Sequence, residues 1–211
     1  GNHASVWRTL HTLGYRCRIS DETDILDSTD MLLLPGVGAF PPAMAALNAR
    51  GLSGYLQEQA RRQRPILGIC LGMQLLADAS HENDFTAGLG LIPGEVVPLV
   101  EPRWHIGWNT IEQLRPDPLF QSSDGQSFYF NHSYTYSGPD EFQVCRSQQG
   151  RSFPVVIRSG KVIGLQFHPE KSQAAGHQLL LQVIEGFAML RKRLIGVITV
   201  KDGWAVQSFG Y

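Results

Sequence analysis

The spacing of hydrophobic positions changes about halfway along the chain, and this change predicts the order of the elements. In the first half, short continuous apolar runs alternate with stretches in which apolar residues recur every three or four positions. Continuous runs are typical of strands buried on both faces, whereas the wider spacing is typical of amphipathic helices. Together they predict an α/β fold with a mostly parallel sheet, with strands at 15–20, 31–34 and 66–69 and helices at 6–13, 43–47 and 52–63.

From residue 88 onward, the pattern is that of short strands separated by turn sequences such as Ser159-Gly160. Such turns favour hairpins between neighbouring strands. Strands are predicted at 96–100, 111–114, 128–136, 142–146, 155–158 and 162–167, followed by a closing helix at 176–190. A further apolar strand at 194–200 and an alternating stretch at 204–209 come last, with nothing left in the chain for them to pair with.

Composition excludes several classes of protein. Hydrophobic residues make up 43% of the 211 residues and charged residues 18%, which is enough for a sizeable core and argues against disorder. The net charge of −1 and the lack of a basic run give no reason to expect nucleic acid or a membrane surface as a partner. Neither a membrane-spanning run nor a signal peptide is expected. The three cysteines are widely spaced and form no C-x-x-C pair, which argues against disulfides and zinc and predicts a cytoplasmic location.

The stretch 64–76, RPILGICLGMQLL, carries the strongest chemical signal. Its buried strand leads to Cys70, which lies between Gly68 and Gly72, and the spacing then becomes helical. A nucleophile at a sharp strand-to-helix turn is a nucleophile elbow, in which flanking glycines avoid steric clashes. Backbone N–H groups at the start of a helix also favour the thiolate form of a cysteine. The alternative interpretation is a buried structural thiol, which is the ordinary state of many cytosolic cysteines.

A second motif, QFHPE at 166–170, supplies the groups that a thiolate nucleophile needs. Residues i and i+2 of an extended segment point to the same side, so the His168 ring and the Glu170 carboxylate can touch. A nucleophile requires a base within hydrogen-bond reach, and the base requires a group that orients it. His168 alone could be a surface histidine, but together with Cys70 and Glu170 it predicts a Cys-His-Glu triad at one edge of the sheet.

The glycine-rich segment 35–38 follows a buried strand and can supply donors for an oxyanion. We expect the backbone N–H groups of Gly36, Val37 and Gly38 to act together with that of Leu71. The segment lacks the Lys-Ser/Thr and the G-x-G-x-x-G of nucleotide-binding loops, so nucleotide binding is disfavoured. No pair of histidines has the spacing of metal ligands, and neither a metal nor another cofactor is expected.

Six motifs together resemble the glutaminase subunits of imidazole glycerol phosphate synthase, a branch of the class I glutamine amidotransferases. The elbow and the His-Pro-Glu sequence are shared by the class, whereas LIPG and HIGWN point to this branch. The resemblance covers residues 1 to about 190. The motifs are PGVGAF at 35–40, GICLGMQLL at 68–76, GLGLIPG at 88–94, HIGWN at 105–109, YFNHSY at 129–134 and QFHPEKS at 166–172.

The resemblance implies a flavodoxin-like three-layer α/β/α fold and the hydrolysis of L-glutamine to glutamate and ammonia. Cys70 would form the γ-glutamyl thioester, His168 would shuttle protons, and Glu170 would orient His168. Ammonia would pass to a (β/α)8-barrel synthase partner, and glutaminase activity would stay low until a ligand of the partner orders the oxyanion segment. The resemblance also implies a glutamine pocket lined by Gln74, Glu82, His132, Ser133 and Tyr134.

Two departures from the family pattern lead to further expectations. The first strand of the family would precede Gly1 and lie inside the sheet, so the chain is expected to lack that strand and to have low stability. Residues 191–211 resemble the start of the barrel synthase itself. We therefore expect an N-terminally truncated amidotransferase domain at 1–190 and the first strands of a truncated (β/α)8 domain at 191–211, with the synthase fused or encoded directly after it.

The acceptor of the ammonia has more than one possible identity. Thr199 stands where the histidine-pathway synthase carries a catalytic Asp, and Asn131 stands where Val is usual. Both favour the alternative of a sugar that is amidated in surface-polysaccharide biosynthesis. A stand-alone γ-glutamyl thiol hydrolase is less favoured, because it would not need the HIGWN motif or the barrel-like tail. A catalytically inactive regulatory subunit is disfavoured by the intact Cys70, His168 and Glu170.

Overall fold

The architecture is described for residues 2–187, 194–201 and 204–205 of a computed structural model. The α-helices in these residues are α1 (Asn2–Thr12), α2 (Thr23–Asp27), α3 (Phe40–Ala49), α4 (Leu52–Arg61), α5 (Leu71–Leu75) and α6 (Gln173–Gly186). The strands of the first half are β1 (Arg16–Ile19), β2 (Met31–Val37), β3 (Ile66–Cys70), β4 (Ala79–Ser80), β5 (Thr86–Ala87) and β6 (Glu95–Pro98). The remaining strands are β7 (His105–Thr110), β8 (Glu112–Gln113), β9 (Ser127–His132), β10 (Tyr134–Ser137), β11 (Gln143–Gln149), β12 (Arg151–Ser159), β13 (Val162–Leu165), β14 (Leu194–Val197), β15 (Val200–Lys201) and β16 (Trp204–Ala205).

The main sheet contains ten of the described strands. Eight of them lie in the order β1-β14-β2-β3-β13-β12-β11-β8, while β15 pairs with β2 and β16. The strands from β1 to β13 in this order run parallel. The strands from β13 to β8 pair antiparallel. The predicted parallel sheet is therefore confirmed on one side and the predicted hairpins on the other.

Alternate residues of the central strands bury into two separate apolar clusters. Met31 and Leu33 pack with α1 and α6, whereas Leu32 and Leu34 pack with α3, α4 and α5. A strand covered on both faces needs an apolar residue at every position, which explains the continuous run at 31–34. Helices thus cover both faces of the sheet, and the predicted three-layer α/β/α fold is confirmed.

The second half of the chain differs from the predicted strands at two places. The single strand predicted at 128–136 is two strands that break at Ser133, because β9 pairs with β7 whereas β10 pairs with β6. The strand β7 was not predicted, because its sequence lacks the apolar pattern of a buried strand. Ile106 and Trp108 are more than half exposed, and Gly107 lies between them. The break at Ser133 and the strand β7 both lie beside the candidate site described below.

The apolar strand near the C-terminus lies inside the main sheet. Residues of β14 pair with β1 on one side and with β2 on the other, and Ile195 and Val197 are buried. The expectation that this strand has nothing to pair with is therefore wrong. The assignment of 191–211 to a barrel domain stays a prediction, and residues 188–193, 202–203 and 206–211 lie outside the described residues. These include the last residues of the helix predicted at 176–190 and most of the stretch 204–209.

Candidate active site

Cys70 lies at the sharp turn from β3 into α5. Its φ of 56° and ψ of −110° place a non-glycine residue in an uncommon region of backbone space. Such a conformation costs about 1–3 kcal/mol and is concentrated at functional sites. The glycines beside it allow the turn to close, since a Cβ on Gly68 would lie 2.5 Å from the Gly72 carbonyl oxygen. A Cβ on Gly72 would lie only 1.7 Å from the Leu34 carbonyl oxygen, so the backbone has the shape of a nucleophile elbow.

His168 and Glu170 lie next to Cys70, at the carboxyl ends of neighbouring parallel strands. Ile69 of β3 pairs with Leu165 of β13, and His168 follows β13 by three residues. The Nδ1 atom of His168 lies 2.7 Å from Oε1 of Glu170, and the ring is also hydrogen-bonded to Cys70. The side chains of His168 and Glu170 are 3% and 0% exposed. The fold therefore joins the three residues predicted for the triad in one buried series of hydrogen bonds.

The groups on either side of His168 favour its charged form. Burial alone lowers the pKa of His168, but the charge and hydrogen bond of Cys70 and those of Glu170 outweigh burial and raise it well above its ordinary value. The ring is therefore an imidazolium at neutral pH when Cys70 is a thiolate. Away from this site, burial raises the pKa of the Cys17 thiol to about 11 and that of the Cys145 thiol to about 12. Both remain protonated and therefore unreactive.

A cavity of about 290 Å³ opens at Cys70. Its volume is at the lower end of those that hold small molecules. Two residues predicted for the site do not line it, because Glu170 lies behind His168 and Gly36 pairs with Cys70 within the sheet. The cavity is lined by Cys70, His168 and the other residues that the sequence predicts, namely Val37, Gly38, Leu71, Gln74, Glu82, His132, Ser133 and Tyr134.

The segment predicted as a glycine-rich loop is mostly strand. β2 continues through Gly36 and Val37, so only Gly38 and Ala39 connect it to α3. Gly38 has a φ of 110°, which favours glycine. The Glu82 carboxylate accepts a hydrogen bond of 2.8 Å from the first N–H of α3. Glu82 thus anchors this segment beside the cavity as well as lining the cavity.

Three further residues lie at the site that the sequence reasoning did not assign to it. The Nε2 atom of Gln166 lies 3.9 Å from Cys70 Sγ. Its Oε1 atom lies 3.3 Å from Gln74 Nε2. Lys171 lines the cavity, and the backbone oxygen of Asn131 lies 3.8 Å from Cys70 Sγ. The alternation in 166–170 could have indicated Gln166, because it shares a face with His168. No spacing rule indicates Lys171, which reaches the cavity through the turn after the strand.

The chemistry supported by this arrangement is nucleophilic attack followed by acyl transfer. A thiol, a base and a carboxylate that orients the base are joined by hydrogen bonds beside a small cavity. Within the described residues, no group of three His, Cys, Asp or Glu side chains is arranged to hold a metal ion. No helix of the described ranges is both long enough and apolar enough to cross a membrane.

Comparisons with known proteins match both the sequence and the fold. The family model of glutamine amidotransferase class-I matches residues 2–185. The chain is 42% identical over 191 residues to the imidazole glycerol phosphate synthase subunit HisH of Listeria monocytogenes serotype 4a, covering 89% of this chain and 90% of that subunit. It is 44% identical over 184 residues to the HisH subunit of Streptococcus gordonii, covering 85% of this chain and 89% of that subunit.

Solved structures give the same result for the fold. A crystal structure of a glutamine amidotransferase matches with a TM-score of 0.68 at 18% identity, covering 88% of this chain and 93% of the other. A putative GMP synthase component from Thermoplasma acidophilum matches with a TM-score of 0.61 at 22% identity, covering 85% of each chain. The cysteine elbow, the histidine and carboxylate beside it and the matching family model define the class, and the chain belongs to the class I glutamine amidotransferases. At 42–44% identity over most of its length, it belongs within that class to the HisH subunits of imidazole glycerol phosphate synthase.

Proposed function

We propose that the chain hydrolyses the side-chain amide of L-glutamine and delivers the ammonia to the partner that forms imidazole glycerol phosphate in histidine biosynthesis. The main support is the chain of hydrogen bonds from Cys70 through His168 to Glu170 at the wall of a small cavity. The HisH relatives favour imidazole glycerol phosphate synthesis over amidation of a sugar. A location in the cytoplasm fits the three free cysteines.

In the first half of the reaction, the Cys70 thiolate attacks the amide carbon of glutamine. The oxyanion that develops accepts hydrogen bonds from backbone N–H groups of Leu71 and of Val37 and Gly38, which line the cavity. His168 donates its Nε2 proton to the departing nitrogen, so the C–N bond breaks and ammonia leaves. The product on the enzyme is a γ-glutamyl thioester at Cys70.

In the second half, His168 is neutral and accepts a proton from water while the water oxygen attacks the thioester carbon. The C–S bond breaks, glutamate leaves, and the thiolate–imidazolium pair forms again. Glu170 accepts the Nδ1–H bond of His168 in both halves, which keeps Nε2 directed toward the reacting atoms. Burial of this carboxylate strengthens the interaction, because water does not compete for it.

The glutamine substrate carries two charged groups that the cavity can receive. Glu82 and Lys171 line the cavity with opposite charges, so they can attract the α-ammonium and the α-carboxylate of glutamine respectively. Gln74, Ser133 and Tyr134 provide neutral polar groups on the same walls. This pairing of charges favours an amino acid over an uncharged amide as the substrate.

The partner is proposed to be a (β/α)8-barrel cyclase, as a separate subunit or a fused domain, that docks on the outer face of β7 and β9. Ile106 and Trp108 are 59% and 51% exposed there, and they pair with Asn131 and Tyr129 of β9. An exposed apolar group of this kind is typical of an interaction surface. Asn131 also lines the cavity, so a partner on this face would lie next to the site where ammonia is released.

Replacement of Trp108 by alanine tests this surface. We expect the affinity for the barrel partner to fall by roughly 30-fold or more, as for an aromatic residue at the centre of an interface. Leu181→Ala, on the exposed side of α6, is the control and should leave the affinity unchanged. Equal affinities for the Trp108 and Leu181 variants would rule out this docking face.

Replacement of Cys70 by alanine tests the reaction. In the complex with its partner, the variant should lose synthesis that depends on glutamine while keeping synthesis from added ammonia, because only the thioester step is removed. Cys17→Ala is the matched control and should retain both activities. Glutamine-dependent synthesis by the Cys70 variant would show that the proposed mechanism is wrong.

A further inference from the structure

Two buried histidines connect the outer strand β7 with the cavity at Cys70. His105 of β7 is 3% exposed and His132 of β9 is 6% exposed, and the two are direct neighbours in the antiparallel register. The Nδ1 atom of His105 lies 3.0 Å from Nε2 of His132. His132 lines the cavity, whereas His105 lies one layer behind it.

The protons of this pair can be assigned from the groups at its two ends. The Nδ2 atom of Asn109 lies 3.1 Å from the backbone oxygen of Gln148 and 3.2 Å from Nε2 of His105. A carbonyl oxygen only accepts, so the Asn109 amide must direct its NH2 group toward both atoms. His105 Nε2 is then the acceptor, and its Nδ1 carries the proton that is donated to His132.

The other end gives the same assignment independently. His132 Nδ1 lies 2.8 Å from the backbone oxygen of Tyr134, so Nδ1 must be the protonated nitrogen. His132 Nε2 is left as an acceptor, which matches the proton donated by His105. Each ring therefore carries one proton and is neutral. A second proton on either ring would replace an attractive contact by two N–H groups that face each other.

The chain of hydrogen bonds ends on the substrate pocket. The backbone oxygen of Tyr134 also accepts a hydrogen bond from Gln74 Nε2 at 3.3 Å, and the same Nε2 lies 3.3 Å from Gln166 Oε1. Both N–H groups of the Gln74 amide are thus used inside the protein, which leaves its oxygen to face a ligand. Both ring nitrogens of His132 are likewise occupied, so this ring supports the pocket wall and has no free nitrogen to bind substrate.

We propose that His105 is a positioning residue for the glutamine pocket, acting through His132 to hold the Tyr134 carbonyl and the Gln74 amide beside Cys70. This proposal rests on the proposed function, because it specifies how the glutamine pocket is held. His105 contacts neither the cavity at Cys70 nor the triad. Its loss should therefore weaken the binding of glutamine more than it slows the chemical steps.

Replacing His105 by asparagine or by glutamine separates the effect of its hydrogen bond to His132 from the effect of its size. In His105→Asn, the side-chain NH2 can occupy the place of Nδ1 and donate to His132, whereas in His105→Gln the NH2 falls near the place of Nε2. In the complex with the partner, we expect the KM for glutamine of the Gln variant to rise about tenfold, with kcat within about threefold of the wild type, because one buried acceptor loses its donor. The Asn variant should keep a KM within about threefold of the wild-type value.

The outcomes separate this proposal from the proposed function. If the Gln variant keeps the wild-type KM, or if the Asn variant loses as much as the Gln variant, the positioning role of His105 is overturned while glutamine hydrolysis stands. If the wild-type complex does not hydrolyse glutamine, the proposed function fails and the role of His105 fails with it. Glutamine binding to both variants in a Cys70→Ser background, measured by calorimetry, should show the same difference in the absence of turnover.

Discussion

Glu170 supports the His168 ring on the side away from Cys70. Its side chain is fully buried and its Oε1 atom lies 2.7 Å from His168 Nδ1. A hydrogen-bonded carboxylate favours the charged form of a histidine ring, so Glu170 adds to the effect of Cys70 on the pKa of His168. The orientation of the base therefore depends on this contact, and its proton affinity depends on both Cys70 and Glu170.

Glu170→Gln keeps the size of the side chain and removes its charge. We expect the rate of glutamine hydrolysis to fall roughly 10²- to 10⁴-fold, because His168 loses the group that orients it and stabilises its proton. Steady-state kinetics of the complex measures this, with ammonia-dependent synthesis as the internal control. A rate within threefold of the wild type would mean that Glu170 does not support the base.

His132 makes the stability of the chain depend on pH. Burial is the main cause that lowers its pKa to about 4. The hydrogen bond to Tyr134 opposes burial, and smaller effects from His105 and His168 add to the lowering. The ordinary value is 6.5, so between pH 6.5 and 4 the unfolded chain binds more protons than the folded chain. The free energy of unfolding contributed by His132 is therefore complete above pH 6.5 and is lost as the pH falls through 4.

Urea unfolding of the wild type and of His132→Asn measures this contribution. Going from about pH 7 to about pH 5, the wild type should lose about 2 kcal/mol more than the variant. Carboxylates that titrate in this range affect both proteins and cancel in the comparison. Parallel losses in the two proteins would show that His132 is not held neutral in the folded state.

Among the elements, the elbow depends most strictly on the absence of side chains. Gly72→Ala would place a Cβ 1.7 Å from the Leu34 carbonyl oxygen, and backbone on both sides prevents relief. We expect this variant to lose both stability and glutaminase activity. Gly54→Ala is the control, because its Cβ meets nothing within 4 Å at an exposed position of helix α4, and it should stabilise the chain by about 0.5–1 kcal/mol. Thermal unfolding of both variants tests the close approach of β2 and α5. Equal melting temperatures for the two variants would contradict it.

Strand β14 should contribute to the stability of the whole sheet. Ile195 is 1% exposed and packs in the same cluster as α1 and α6. Ile195→Ala should therefore cost about 2–5 kcal/mol of unfolding free energy in urea denaturation. A cost below about 0.5 kcal/mol, the value typical of surface changes, would mean that β14 is not part of the core in solution.

The elements that the sequence predicts are those whose local pattern matches their burial. The run at 31–34 reads as a strand covered on both faces because each of its residues is buried. The strand β7 could not be predicted in this way, since its apolar residues face outward and its buried residue is a histidine. The place of β14 could not be predicted either, because parallel pairing of strands far apart in sequence leaves no local signal.

The same limit applies to the residues of the site. Cys70, His168 and Glu170 stand in motifs whose spacing carries a geometric meaning, so their approach could be predicted. The hydrogen bonds from Asn109 through His105 to His132 depend on the register between β7 and β9, which no spacing within either strand reveals. Residue types alone therefore indicate the chemistry, while the support around it requires the fold.

At the scale of the whole molecule, the proposed surface for the partner lies on β7 and β9, and β9 also contributes Asn131 and His132 to the wall of the cavity. Ile106 and Trp108 point outward from β7, and His105 of that strand points inward to His132. A partner that binds the outer face therefore contacts the backbone that carries the positioning residue. This arrangement would place the proposed delivery of ammonia and the proposed holding of glutamine on two neighbouring strands.

The central proposal, acyl transfer through Cys70, is tested most directly by the mass of the cysteine peptides after the enzyme is quenched with acid during turnover of glutamine. The complex with its partner and the partner's ligand is used, so that glutaminase activity is high. The peptide that contains Cys70 should gain the mass of one γ-glutamyl group, while the peptide that contains the buried Cys145 should remain unmodified. Turnover of glutamine with no adduct on Cys70, or with an adduct on another cysteine, would contradict the mechanism.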